Sequence, residues 1–498
     1  PWSEPAWAWA GPLAATAVGG LQRFWRLGTP HALVFDEAYY AKDAASYLRY
    51  GYEMAPRAVP PGAPDPFVSG SGPMFGSAGE FVVHPPVGKW MIAAGEALFG
   101  PGNPVGWRFS AAVCGTLAIL MIGRIAYRLF GSALLATTAS LLLACDGLEF
   151  VQSRTGVLDI FVMFWALAAF GCLLIDRDRA RTRTTAPAEG GSVRGWHGVR
   201  GWRLAGVVGL TLCTGVKWSG LYIAAALLTF SVASDLATRR AAGATRWVTR
   251  GLVADGLPAF VTAAVVLPVG YVATWWGWFA GDRGWDRQWG ARHPAPPGWS
   301  WVPDALRGLW HYHAEMWHFH LNLHTPHPYM SSPWAWPVLG RPTAYFYVNH
   351  TAGHAGCHVP VCSQAVLALG NPAIWWGGTL AAGVLLFRWL LARDRRAAAV
   401  LAGLAGGYLP WFLYTDRTIF EFYAVAFSPW MVLAVVHCLG LLLGPRGGPP
   451  QRRRRGALLG GSYVFVVVMM FWFFYPVLAG RVVPHAEWAL RMWLPSWI

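Results

Sequence analysis

Two carboxylates stand side by side at Asp36 and Glu37, in a 498-residue chain with 24 acidic residues against 39 lysines and arginines. They sit in "LVFDEAYYAKDAASYLRYGYE", after an apolar segment and before a row of tyrosines. Far along the chain come further candidates: His84 and Lys89 in "HPPVGK", Arg108, then Asp146, Arg154 and Asp159 in "CDGLEFVQSRTGVLD". Lys217 follows in "GVKWSG", His327 in "HPYMSSPWAWP" and Arg417 in "YTDRTIFEF". One acidic pair with several cations suits a reaction that expels a phosphate. That leaving group is already anionic, so cations stabilise it and no second carboxyl group is needed as general acid. A glycosidase would instead need two opposed carboxyl groups. In the transfer reading, one carboxylate accepts the proton of an attacking hydroxyl while Arg and Lys hold the departing phosphate.

Each candidate also has a plain structural reading. An Arg at a span end commonly snorkels to the membrane interface. Asp36 and Glu37 could cap an interfacial helix, and Asp159 could only pair with Arg154. Ionisable groups at membrane depth are costly unless paired or functional, so their gathering at one face argues for a site.

The elements that must position these residues are membrane helices. The chain is 55% hydrophobic and 13% charged, with mean hydropathy +0.36, and its apolar residues form long runs that one soluble core could not bury. The net charge of +15 does not point to nucleic acid. Basic residues cluster at the ends of apolar runs: Arg124 and Arg128; "DRDRARTRT" with Arg194, Arg200 and Arg203; "TRRAAGATRWVTR"; "RWLLARDRR"; "PRGGPPQRRRR". The positive-inside rule makes these cytoplasmic and the segments rich in His, Trp, Tyr and Pro outward.

This predicts an all-α integral membrane protein, a single polytopic domain over 1–498 with about eleven spans, N-terminus inside and C-terminus outside. The spans are 6–21, 105–127, 132–145, 157–175, 204–216, 221–233, 252–276, 366–391, 397–413, 422–443 and 457–478. Segment 6–21 reads as a retained anchor rather than a cleaved signal; the numbering opens at Pro1, so a piece may precede it. Residues 28–84 and 277–365 form two large outward loops. "HPPVGKWMIAAGEALFG" reads as a helix too short to span, opened by prolines.

In the second loop, Trp310/Trp317 and His311/His318 recur at seven-residue spacing, which fits an amphipathic helix lying on the bilayer. His313, His320, His324 and His327 lack acidic partners at ligand spacing, so no metal is expected there. Among seven cysteines, Cys357 and Cys362 lie close together in an outward loop where a disulfide is expected.

The ordered set "FDEAYYAKDAASY", "HPPVGKW", "DGLEFVQSRTGVLDIFVMFW", "GVKWSGLY", "HPYMSSPWAWP", "LGNPAIWW" and "DRTIFEFY", from Phe35 to Tyr423, resembles the protein O-mannosyltransferase family. The resemblance implies a GT-C membrane glycosyltransferase with an inverting mechanism. Such an enzyme moves mannose from a polyprenyl-phosphate carrier to Ser or Thr hydroxyls of polypeptides outside the cytoplasm, at the plasma membrane in a bacterial type. It implies Asp36 as base, Glu37 positioning acceptor or sugar, and His84, Lys89, Arg108, Asp146, Arg154, Asp159, Lys217, His327 and Arg417 as substrate contacts, with Arg108, Arg154, Lys217 and Arg417 foremost for phosphate. The second loop is too short for the β-trefoil MIR domain of eukaryotic relatives. No cofactor or metal is expected; donor lipid, acceptor polypeptide, membrane lipids and a secretion translocon are the expected partners. A GT-C transferase with a different sugar or a lipid or glycan acceptor, or a transporter, are the other readings; a transporter would carry charges mid-span and Gly/Pro-broken helices in related halves.

Overall fold

The computed structural model describes residues 6–60, 65–70, 72–185 and 198–498. Arg194 of the second basic cluster and residues 61–64 and 71 of the first outward loop fall outside them. The main helices are α1 (Trp7–Phe24), α2 (Glu37–Tyr50), α3 (Val87–Phe99), α4 (Pro104–Phe130), α5 (Ala133–Ala144), α6 (Gly147–Gln152), α7 (Asp159–Thr185), α8 (Gly201–Val216), α9 (Ser219–Ala241), α10 (Leu257–Ala273), α11 (Asp304–Asn322), α12 (Pro372–Ala392), α13 (Arg395–Tyr408), α14 (Ser428–Leu443) and α15 (Pro450–Leu478). Apolar runs become helices because in lipid each backbone amide must find its partner within its own segment. Polar caps punctuate them: the side chains of Asn103, Ser132, Asn371 and Asp394 accept amide hydrogens at the starts of α4, α5, α12 and α13.

Among the described residues, eight helices are long and apolar enough to cross a membrane; α5 and α8 are shorter apolar helices. Every predicted span is at least partly helical, but α1, α5 and α8 fall outside that set of eight. The predicted span at 366–391 starts too early. Val366 lies in a strand, and the helix begins at Pro372 after the Asn371 cap, because strand pairing takes the apolar run that precedes it. The spans at the centre are α7 and the helix ending at Leu443, with 67% and 72% of their apolar windows buried, whereas α10 and α15 bury 17% and form the rim.

Strands are few and belong to the segments between spans. β1 (Met54–Pro56) pairs antiparallel with β2 (Phe75–Gly79). β3 (Thr343–Thr351), β4 (Val361–Ala368) and β5 (Val482–Pro484) form a second antiparallel sheet in the order β3-β4-β5. That sheet ties the second loop to the chain beyond α15. Its β3–β4 turn carries the Cys357–Cys362 disulfide. The predicted amphipathic helix is α11: Tyr312 and Met316 are buried against Trp275 and Trp278, while Trp310 and Trp317 are exposed.

Candidate active site

The acidic pair at the start of α2 divides into two different environments. Glu37 is fully buried and every hydrogen bond it makes is structural. Arg108 donates from Nε to Oε1 at 2.7 Å and from Nη2 to Oε2 at 2.8 Å. The amides of Gly156 and Val34 add 2.8 and 2.9 Å bonds. Gly156 is required there, since a Cβ would lie 2.8 Å from the Trp107 carbonyl. Asp36, one residue earlier, is partly buried, and its side-chain hydrogen-bond partner among the described residues is Tyr40, whose hydroxyl donates to Oδ2 at 3.4 Å. Tyr40 is one helical turn on, so the two share a face.

The residue before the pair is strained. Phe35 has φ +49, a left-handed conformation that a bulky side chain rarely adopts. Its ring is held by stacking on Tyr345 at 4.9 Å and by edge contacts to Phe420, Phe422 and His327. Aromatic packing on one side and the Glu37–Arg108 pair on the other therefore fix the peptide that delivers Asp36.

A cavity of about 260 Å³ lies between α9, α11 and α13. Its lining combines the polar residues His84, Asp159, Lys217, His320 and Arg417 with apolar and aromatic residues including Leu221, Tyr222, Trp411 and Tyr414. Lys217 ends α8, and its Nζ donates to Asp159 at the start of α7 at 2.7 Å; it also sits 4.9 Å from the centre of the Tyr423 ring. Gly406 lets α13 approach α9, for a Cβ would come 2.8 Å from that of Ala226.

Charge in this region is asymmetric. Burial pushes Asp36 up to about 6; Lys217 opposes that rise, Asp159 adds to it, and the Tyr40 hydrogen bond lowers it. A carboxylate with this value is still largely ionised at neutral pH and accepts a proton more readily than an ordinary Asp. Burial, helped by Lys217, His320, Lys89 and Arg417, holds His84 well below the ordinary histidine range. Burial and Arg417 bring His320 to about 4. Neutral His320 contacts the Val83 carbonyl through Nε2 at 2.9 Å, and its Nδ1 accepts from Arg417 Nη2 at 2.9 Å. The Nε of Arg417 is buried and without a hydrogen-bond partner among the described residues.

Of the residues expected from sequence, the fold gathers His84, Asp159, Lys217 and Arg417 on the cavity, with Asp36 close enough to feel Lys217 and Asp159. It does not bring the others to the cavity wall. Arg108 spends all its donors on Glu37 and the carbonyls of Leu27, Pro30 and Ala32. Arg154 donates to the carbonyls of Gln22, Arg23, Trp25 and Arg26, satisfying the open end of α1. Asp159 pairs with Lys217 rather than Arg154.

Asp146 accepts from the Asn371 amide and the Trp375 indole, joining α6 to α12. Lys89 is buried between Glu53 and the His84 carbonyl, holding the "HPP" turn from behind. His327 packs on Phe35 and Phe420. Tyr40, His320, Trp218 and Tyr423 were not anticipated as site residues. The i, i+4 spacing of Asp36 and Tyr40 is a readable signal; the position of Tyr423 depends on long-range packing alone. Among the described residues no cluster of three or more His, Cys, Asp or Glu could hold a metal ion.

The chain resembles known proteins along most of its length. The family model described as dolichyl-phosphate-mannose-protein mannosyltransferase matches residues 13–268, and that of the C-terminal four TMM region of protein-O-mannosyltransferase matches 305–497. A polyprenol-phosphate-mannose–protein mannosyltransferase of Mycolicibacterium smegmatis is 37% identical, covering 99% of this chain and 94% of its own. Its namesake in Corynebacterium glutamicum is 34% identical over 97% and 91%. Among solved structures, the Saccharomyces cerevisiae Pmt1-Pmt2 protein O-mannosyltransferase complex bound to the sugar donor has TM-score 0.74 at 15% identity, covering 100% of this chain and 93% of that chain. An Archaeoglobus fulgidus oligosaccharyltransferase has TM-score 0.51 at 14% identity, covering 94% and 56%. These two likenesses concern the fold, a GT-C helical membrane architecture.

Proposed function

The chain belongs to the dolichyl-phosphate-mannose-protein mannosyltransferase family of membrane glycosyltransferases, and from that premise we propose an inverting transfer with Asp36 as its base. Mannose moves from a polyprenyl-phosphate carrier to a Ser or Thr hydroxyl of a polypeptide. The observation that carries the reading is that Asp159, Lys217 and Arg417 line one cavity together with apolar and aromatic residues, while Asp36 is electrostatically coupled to Lys217 and Asp159.

In this reading the isoprenoid lies along the apolar wall between α9 and α13, and Lys217 and Arg417 hold the phosphate. Asp36 accepts the hydroxyl proton as the acceptor oxygen bonds to C1 of mannose. The C1–O bond to phosphate breaks on the opposite face, and the electron pair leaves with the polyprenyl phosphate. Cations fixed beforehand where that charge develops lower the barrier. His84, neutral and facing the same space, supports the sugar, and Asp159 holds Lys217 in place. Glu37, Arg108, Arg154, Lys89, Asp146 and His327 act at one remove, by fixing the peptides that carry these groups.

The chain is a multi-pass membrane protein. Its basic clusters support a plasma-membrane location with the site on the extracytoplasmic face. There the outward segments 28–84 and 277–365 would meet the acceptor, which a secretion translocon would deliver as it emerges. The test supplies membranes carrying the chain with radiolabelled polyprenyl-phosphate-mannose and a Thr-rich peptide. Label in the peptide, lost on Asp36→Asn, supports the proposal. Label confined to lipid overturns the acceptor, and unchanged labelling in the variant overturns the base.

A further inference from the structure

A second cavity, of about 420 Å³, shares no lining residue with the first. It is bounded by the residues just after α1, by Arg154, by the disulfide-closed β3–β4 turn and by the end of α15. Arg26, Arg154 and Arg481 all line it, and none of the described residues lining it is acidic. The nearby arginines Arg23 and Arg108 are neutralised by Glu149 and Glu37. By contrast, Arg26 and Arg481 have no ion pair among the described residues, and the hydrogen bonds of Arg154 go to uncharged carbonyls.

The placement has a structural cost, which argues against chance. Arg26 holds φ +52, a conformation disfavoured for a side chain with a Cβ, and Arg154 fixes it by donating to its carbonyl at 3.0 Å. Burial first, and then the neighbouring cations Arg108, Arg23 and Arg26 against an opposing contribution from Tyr475, bring Arg154 down to about 10. Positive charge is thus concentrated here without an acidic residue among the described residues of the lining. Trp25, well exposed, and Tyr475, beneath Arg481 at 4.9 Å, border the same cavity. They lie at the ends of α1 and α15, where aromatic side chains mark headgroup depth.

We propose that this cavity is an anion site for a phosphate group, separate from the transfer site and supplied by an anionic lipid headgroup of the adjoining leaflet or by free phosphate. Guanidinium groups match phosphate oxygens in geometry and charge, and basic pockets at the ends of membrane helices recognise such headgroups. The proposal does not depend on the identity of the sugar or acceptor.

The test uses the full chain purified in a neutral detergent, with native mass spectrometry after addition of phosphatidylglycerol or phosphatidylcholine. Arg26→Gln/Arg481→Gln is compared with Arg26→Lys/Arg481→Lys and the parent, each checked for an unchanged unfolding temperature. Phosphatidylglycerol should be retained over phosphatidylcholine by the parent and the Lys variant, and about tenfold more weakly by the Gln variant. Displacement of that lipid by millimolar inorganic phosphate in the parent supports free phosphate as the source; resistance supports the lipid. Equal retention by the parent and the Gln variant overturns the site.

Discussion

Lys217 Nζ lies 2.7 Å from Asp159 Oδ2, joining the end of α8 to the start of α7 on the cavity that also holds Arg417. The two charges act on Asp36 in opposite directions: Lys217 lowers its proton affinity and Asp159 raises it. With Asp36 as the proposed base, activity requires its ionised form, so the rate should be present above its pKa of about 6 and be lost as pH falls through it. Lys217→Met should move the acid limb of kcat/KM to higher pH, and Asp159→Asn should move it lower. Lys217→Met should also cut kcat by about 10²–10³, the cost of one transition-state donor. A pH–rate profile on a Thr-rich peptide reads both; an unmoved acid limb in both variants would remove Asp36 as the titrating group.

Asp36→Asn keeps the shape but cannot accept a proton. Its kcat should fall by about 10²–10⁴, with the unfolding temperature of the detergent-purified protein unchanged, because the one side-chain hydrogen bond lost is the long one to Tyr40. Tyr40→Phe should preserve most of the rate and raise the acid limb, since that hydrogen bond favours the ionised carboxylate.

Glu37 should behave in the opposite manner. Glu37→Gln leaves Arg108 buried with an uncompensated charge, a loss of about 3–5 kcal/mol. Thermal unfolding should show a clear drop in midpoint, and activity should fall in proportion to folded protein. A normal midpoint combined with absent activity would assign Glu37 to the chemistry instead.

His320 holds Arg417 by accepting from Nη2 at 2.9 Å. His320→Ala should raise the KM for the lipid donor by about tenfold, the loss of one charge-assisted hydrogen bond. His320→Gln, whose amide both donates and accepts, should restore most of it. Steady-state kinetics with the donor varied separates this from a general loss of fold, which would lower kcat for both variants alike.

The membrane class and the helical content were legible because spans are written locally, as apolar runs bounded by arginines. Caps were legible too, at least in retrospect: Asn103-Pro104 and Asn371-Pro372 start helices by the chemistry of adjacent residues. The early start given to the span at 366–391 shows the limit of such reading. The apolar residues Val366–Ala368 are consumed by pairing with Thr343–Phe346 of the neighbouring strand, and hydropathy carries no sign of that pairing.

The chemistry divides along the same line. Residue types alone indicated a carboxylate and cations for expelling a phosphate, because anionic leaving groups demand nothing more elaborate. Which cations remain available was decided by packing. Arg108 and Arg154 look in sequence like Arg417, yet their donors are taken by Glu37 and by backbone carbonyls that the fold could not otherwise satisfy. The same holds for the adjacent acids, which differ by one methylene and one residue of register: one is turned into the interior ion pair with Arg108 and the other is coupled to Lys217 and Asp159. Sequence fixes what each side chain can do, while the contacts that consume or spare its charge arise only when distant segments meet.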